Sequence, residues 1–262
     1  MRITGCEILH CNAGWRDFSF LKLMTDENIT GISEYNECYG SPGLSGIIRR
    51  LVERIKEMDA LAHEHIHQCL YAATRQAPGG VNQQAIAAIE NALLDIKGQA
   101  LNVPVYDLLG GAIRKEIPVY WSHCGTYIWR PEIAELCQVE AIRKPDDLVR
   151  LGKRVKDQGF LGLKTNMITF NDEVGASLYM PGTAGRPGWP DLNVPSSLIG
   201  QLRDQLIAMQ DGAGPDVGIR LDLNFNFKPE GYRQVTTALD DLDLTWIEID
   251  LYDPMALAAI RE

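Results

Sequence analysis

Leu221-Asp222-Leu223-Asn224 and Trp246-Ile247-Glu248 each end an apolar, strand-like run on an acidic side chain, and the two acids stand 26 residues apart. A helix-forming stretch, Pro229 to Leu239, lies between them. That spacing is one strand-helix-strand unit of a parallel barrel, which brings both carboxylates to one mouth on neighbouring strands. A third strand-like run ends in Lys164-Thr165-Asn166. A cation and an amide are therefore expected beside the two acids, with Asp222 and Glu248 as candidate ligands of one divalent metal ion.

Working outward from these strings, strand and helix alternate from Ile117 onward. Strands are expected at 117–121, 160–164, 217–222 and 245–249, and helices at 146–156, 196–209 and 230–239. Such alternation predicts a parallel sheet with covering helices. The segment Met167–Pro195 interrupts it, rich in Gly, Pro and Asn. A connection of that length, starting at the Lys164–Asn166 strand end, is expected to act as a lid. Four barrel-type strands fall before Glu262, whereas a closed barrel needs eight. The expectation is a C-terminally truncated chain, inactive and poorly stable as residues 1–262 alone, because open edges and helix faces would lack partners.

The first part of the chain is built differently. Ile3–Cys11, Phe18–Met24 and Ile29–Tyr35 alternate as a small antiparallel sheet, the last two joined by the turn Thr25-Asp26-Glu27-Asn28. Ile47, Ile48, Leu51, Ile55 and Met58 then recur at helical spacing. After the Pro78-Gly79-Gly80 break, Ala85, Ile86, Ile89, Ala92, Leu93 and Ile96 make the apolar stripe of a second helix, with Gly98 placed near its end. Leu109-Gly110-Gly111 closes this region, so the expected domains are 1–115 and 116–262.

Composition fits an enzyme-sized soluble chain: 262 residues, 45% hydrophobic, 23% charged and a net charge of −10. The acidic balance argues against nucleic acid or an anionic membrane as partner. No apolar run approaches the roughly 18 residues that cross a bilayer. The first residues, Met1-Arg2-Ile3-Thr4-Gly5-Cys6-Glu7, lack the apolar core of a signal peptide. The cytoplasm is the expected compartment, with six cysteines reduced and without metal-type pairing.

Ala87-Ala88-Ile89-Glu90-Asn91-Ala92-Leu93-Leu94-Asp95-Ile96-Lys97-Gly98, followed by Val103-Pro104-Val105-Tyr106-Asp107-Leu108-Leu109-Gly110-Gly111, closely resembles the enolase superfamily in its mandelate racemase/muconate lactonizing branch. The resemblance covers essentially the whole chain. It implies an α+β N-terminal capping domain followed by the first half of a modified (β/α)8 barrel of the TIM type. It also implies Asp222 and Glu248 as Mg²⁺ ligands, a third acid beyond Glu262, and a homo-oligomer. Lys164 matches the lysine that helps hold and neutralise a substrate carboxylate in relatives. Where many relatives end the same strand in Lys-x-Lys, this chain has Lys164-Thr165-Asn166, and an amide cannot act as a base. That ending looks like galactonate-dehydratase-type relatives, in which a histidine elsewhere carries the proton.

Alternation places Lys164 and Asn166 on one face, and Asp222, Asn224 and Asn226 on another that converges with it. Lys164 is the expected catalytic residue; Asn166, Asn224, His123, Trp15 and Arg16 are the expected substrate contacts. His123 follows the first barrel strand, and Trp15 and Arg16 sit in a loop that caps the site in relatives. Packing and solvation explain Trp15 and Arg16 equally well. Asn224 and Asn226 have turn formation as their plainer reading, and Lys164 that of a structural ion pair. His63, His65 and His67 are expected to face solvent. The leading functional expectation is a Mg²⁺-dependent lyase that dehydrates an acid sugar. Its rivals are a cycloisomerase of an anhydro-sugar acid or muconate-like substrate, and a non-catalytic fragment or interaction protein.

Overall fold

The computed structural model describes residues 1–173, 175–182 and 188–261. The chain folds as two compact units, Met1–Lys115 and Glu116–Glu262.

In the first unit, β1 (Ile3–Asn12), β2 (Asp17–Thr25) and β3 (Thr30–Tyr35) form an antiparallel sheet in that order. Ile8 faces Leu21, and Leu23 faces Gly31, across the ladders. Asn28, at φ 60°, makes the tight turn between β2 and β3. Side chains alternate, so Ser19, Leu21, Leu23 and Thr25 all turn inward. Three helices follow: α1 (Leu44–Ile55), α2 (His63–Thr74) and α3 (Gly80–Leu101). The short α4 (Val105–Leu108) ends the unit's regular structure.

The helix α3 lies tightly on the edge strand β3. A Cβ at Gly31 would stand 2.0 Å from the carbonyl oxygen of Ala92, so only glycine permits this approach. The strand's outward polar groups are met by the helix: Ile32 N donates to Asp95 Oδ2 at 2.8 Å, and Gln99 Nε2 donates to Thr30 O at 2.8 Å. An edge that would otherwise template aggregation is thereby covered. Beneath it Leu21, Leu23, Ile48, Ile55, Ile89, Leu93 and Ile96 are at most 1% exposed. Each such side chain contributes about 1.5–3 kcal/mol of transfer free energy.

The second unit contains α5 (Pro131–Leu136), α6 (Asp146–Asp157), β4 (Gly162–Thr165), the hairpin strands β5 (Ile168–Asn171) and β6 (Gly175–Leu178), and α7 (Ser196–Ala213). They are followed by β7 (Gly218–Asp222), α8 (Pro229–Ala238), β8 (Leu244–Glu248) and α9 (Pro254–Arg261). Strands β4, β7 and β8 are parallel neighbours in that order, and Trp121 bridges to Leu163 in parallel sense on the other side of β4. The rings of Tyr120 and Trp246, from the two ends of this row, meet edge-to-face at 5.5 Å between centroids. In a flat sheet three strand spacings would separate them by about 14 Å. The sheet therefore curls strongly. The guanidinium of Arg220 fills the hollow, 4.4 Å from the Trp246 ring and 5.0 Å from that of Tyr120. Glycine at 162 leaves the room it needs: a Cβ there would lie 1.9 Å from Arg220 Nη1.

Several expectations are corrected. The strand expected at 117–121 is a segment with one bridge, because among the described residues only Trp121 finds backbone partners: its N–H donates to Gly162 O and its carbonyl accepts from Lys164 N, both at 2.9 Å. Ile117 and Val119 stay exposed. Within the 167–195 connection, expected to act as a lid, β5 and β6 pair as a hairpin; residues 174 and 183–187 lie outside the described residues. Gly98 lies in the last turn of α3, near its end as expected, and Asn102, at φ 52°, ends that helix. His63 and His67 do not face solvent freely: His63 lies 3.4 Å from Lys97 Nζ, and His67 Nδ1 lies 3.0 Å from Glu90 Oε2.

Candidate active site

Register places the site. Lys164 on β4 pairs with Arg220 on β7, and Asp222 at the end of β7 pairs with Glu248 at the end of β8. The long lysine side chain reaches one layer further along the strands and stands between the two acids. Its ammonium donates to Glu248 Oε2 at 2.7 Å and lies 3.1 Å from Asp222 Oδ2. The side chains of Lys164 and Asp222 are about 10% and 9% exposed, whereas that of Glu248 is 42% exposed. The cluster thus has a buried back and an open front.

Burial pulls the Lys164 pKa down, but hydrogen bonds and attraction from Glu248 and Asp222 outweigh it, and the ammonium is held above its ordinary value. Asp250 stands half-buried two residues beyond Glu248. Burial, reinforced by the charges of Asp222 and Glu248, raises its carboxyl above the usual range, and Lys164 opposes this. Two carboxylates beside one ammonium, with the charge of Asp250 near them, leave an excess of negative charge suited to a further cation.

Beyond Asp222 the chain leaves strand geometry. Asn224 has φ 49°, and its N–H donates to Asp222 Oδ1 at 2.9 Å. Strand alternation therefore does not carry to Asn224 and Asn226 as expected. The Asn224 Nδ2 is buried with no hydrogen-bond partner among the described residues, as a side chain awaiting an oxygen ligand would be. Asn226 is 2% exposed and donates to Tyr179 O at 3.0 Å, which makes it part of the scaffold. Tyr232 donates its hydroxyl to Asn224 O, and burial pushes its pKa up to about 12.

Asn166 is 2% exposed, and both ends of its amide are occupied. Its Oδ1 accepts from Thr126 Oγ1 at 2.5 Å, and its Nδ2 donates to Asp222 O at 3.1 Å. His123 is exposed just after Trp121, in left-handed backbone at φ 54°, with Ser122 Oγ 3.1 Å from Nδ1 and its ring stacked on Tyr127. Trp15 and Arg16 belong to the first unit. There Trp15 packs edge-to-face on Phe18, and the Arg16 guanidinium lies 4.7 Å from the Phe18 ring and 5.7 Å from that of Tyr39.

Sequence reasoning did not single out Thr126 or Gln205. Their signal is weak, a lone hydroxyl after a glycine and one of the three glutamines on α7. Among the described residues no group of three or more His, Cys, Asp and Glu side chains is arranged to hold a metal ion. The Asp222–Glu248 pair nevertheless suits Mg²⁺ by its chemistry: two hard oxygen donors that already hold a cationic group between them. No helix among the described residues is long and apolar enough to cross a membrane.

Comparison with known proteins finds relatives along the chain. Residues 11–110 match the family model of the mandelate racemase/muconate lactonizing enzyme N-terminal domain. A D-galactonate dehydratase family member from Streptomyces bingchenggensis (strain BCW-1) is 27% identical over 254 residues, covering 94% of this chain and 57% of that protein. The D-galactonate dehydratase of Xanthomonas axonopodis pv. citri (strain 306) is 37% identical over 127 residues, 46% of this chain and 31% of that enzyme. A crystal structure from Burkholderia xenovorans strain LB400, described as an L-alanine-DL-glutamate epimerase bound to magnesium and fumarate, superposes with a TM-score of 0.91 at 44% identity. That superposition covers 99% of this chain and 63% of the Burkholderia one. The chain is thus similar to the mandelate racemase/muconate lactonizing enzymes over residues 11–110, and to the Streptomyces and Burkholderia proteins along nearly its whole length. It spans less than two thirds of the length of these three relatives.

Proposed function

We propose that the protein is a Mg²⁺-dependent lyase that removes the proton next to a substrate carboxylate and dehydrates an acid sugar. The observation that carries this reading is the convergence of Lys164, Asp222 and Glu248 at the ends of three adjacent parallel strands. The row Trp121–β4–β7–β8, with Tyr120 and Trp246 touching across its hollow, supports reading 116–262 as the opening strands of a (β/α)8 barrel.

In this reading Asp222 and Glu248 hold Mg²⁺, which, when bound, stabilises negative charge developing on the substrate carboxylate. Lys164 stays protonated between its acids and supplies the second positive charge to that carboxylate. A general base takes the proton from the carbon beside the carboxylate, the electron pair of the broken C–H bond expels the β-hydroxyl, and a general acid gives that hydroxyl the proton with which it leaves as water. The enol so formed tautomerises to a 2-keto acid. Asn224 Nδ2, without a hydrogen-bond partner among the described residues, is assigned in this reading to a substrate oxygen. Support for an acid-sugar substrate comes from the two galactonate-dehydratase relatives, and support for magnesium beside a carboxylate comes from the Burkholderia structure.

The epimerase description of that 44%-identical relative favours a second reading, in which the proton is returned to the same carbon. Epimerisation uses a proton carrier on each face of the carbon, and the amide at Asn166 removes one candidate carrier. The test is a panel of aldonic acids and of dipeptides, each with Mg²⁺ and with EDTA, followed by 2-keto acid formation and by solvent-deuterium exchange. Dehydration predicts keto acid from an aldonic acid only with Mg²⁺. Exchange into a dipeptide without keto acid would replace it with epimerisation.

A further inference from the structure

We propose that Asn166, held by Thr126 and Gln205, is a positioning residue that sets the place of Asp222 rather than a group that touches substrate. The inference rests on the reading of Asp222 as a metal ligand. Strand β4 ends at Thr165, one residue before Asn166. Where its backbone ladder with β7 stops, the Asn166 side chain takes over and meets the carbonyl of Asp222 at 3.1 Å. The amide thus supplies one more rung at the residue that carries the carboxylate.

The rung is itself fixed from both sides. Thr126, on the segment after the Trp121 bridge, donates its hydroxyl to Asn166 Oδ1 at 2.5 Å. Gln205, on α7, donates to Asn166 O at 2.7 Å and to Thr165 Oγ1 at 3.2 Å, and accepts from Ile168 N at 2.8 Å. Thr126, Thr165, Asn166 and Gln205 are all at most 4% exposed. A buried network of this kind tolerates one geometry only, because each lost partner leaves a polar atom stranded in a low-dielectric interior. Asp222 is then held at three points: its carbonyl by Asn166, Oδ1 by Asn224 N, and Oδ2 by Lys164. Supporting groups behind a metal ligand typically change metal affinity about 10–100-fold when removed.

Calorimetric titration with Mg²⁺, beside thermal melts, of the wild type and of Asn166→Leu, Thr126→Val, Thr126→Ser and Asp222→Ala tests this. Asn166→Leu is expected to weaken Mg²⁺ binding about 10–100-fold. Thr126→Val should weaken it in the same direction, while Thr126→Ser, which keeps the hydroxyl, restores it. Should Asn166→Leu fail to fold, the Thr126 pair decides alone. Unchanged Mg²⁺ affinity in Thr126→Val, with binding lost in Asp222→Ala, would overturn the positioning role and leave the metal site standing. Unchanged affinity in Asp222→Ala would overturn the metal site and the inference together.

Discussion

The interior under the first sheet and the interior at the ends of β4, β7 and β8 are built on opposite principles. The former is almost wholly aliphatic, with Ile3, Leu21, Leu23, Ile48, Ile89 and Ile96 fully buried and mainly hydroxyls as its buried polar groups. The latter buries a lysine, an aspartate, two asparagines, a glutamine and two threonines, drawn from positions between 126 and 226. An aliphatic interior gains free energy with each side chain it hides. A charged one does not, since desolvation of two ions consumes most of their attraction, and replacing such a pair with apolar residues is often neutral or stabilising. The difference separates a region kept for stability from a region kept for chemistry.

That contrast is sharpened first by Ile89→Ala. It removes a fully buried side chain between α3 and the first sheet and should cost about 2–5 kcal/mol in stability, read by denaturant titration. Mg²⁺ affinity should be unaltered, and a parallel loss of it would show the two interiors to be coupled. The converse change is Lys164→Met. It should lower kcat/KM by a hundredfold or more, about 2.7–4 kcal/mol of transition-state stabilisation, with far less effect on the melt measured in Mg²⁺. Near-wild-type kinetics would mark Lys164 as a structural ion-pair partner only.

Smaller effects are expected where the second unit resembles the first in serving stability. Asp147 is buried; burial raises its carboxyl pKa, but hydrogen bonds from Arg143 N and Lys144 N, with the Arg150 guanidinium, outweigh this and hold it below the usual range. A depressed folded pKa gives stability that is fully present above the unfolded value near about 3.9 and is lost as pH falls through the folded value. Asp147→Asn should therefore lower stability at pH 7 by about 1.5–3 kcal/mol, the scale of hydrogen bonds to a charged group, and flatten the decline below about pH 4. Equal acid limbs for the two proteins would remove Asp147 from that account. Arg220→Met should cost less, about 0.5–2 kcal/mol for lost cation–π contacts with Trp246 and Tyr120, read as a lower melting temperature.

What was legible in the sequence follows the same division. Period and spacing located β1–β3, α1, α3 and the strand-helix-strand unit from β7 to β8, because apolar side chains repeat wherever a face is buried. Spacing also put Asp222 and Glu248 level across one ladder. The hidden parts depend on partners distant in sequence. Ile117–Trp121 has a strand's pattern but only one bridged residue. Local turn chemistry moved Asn224 out of alternation, which strand reasoning cannot foresee. Thr126 and Gln205 meet Asn166 across 40 and 39 residues, and no local pattern announces a buried amide network.

In the proposed function, the acids at the ends of β7 and β8 form a cation site behind an open front. The most direct measurement is Mg²⁺ titration by calorimetry of the wild type against Glu248→Gln, which keeps the shape of the exposed ligand and removes its charge. Saturable binding of one Mg²⁺ by the wild type, weakened at least tenfold in Glu248→Gln with an unchanged melting temperature, is the predicted result. Equal binding isotherms for the two proteins would contradict it.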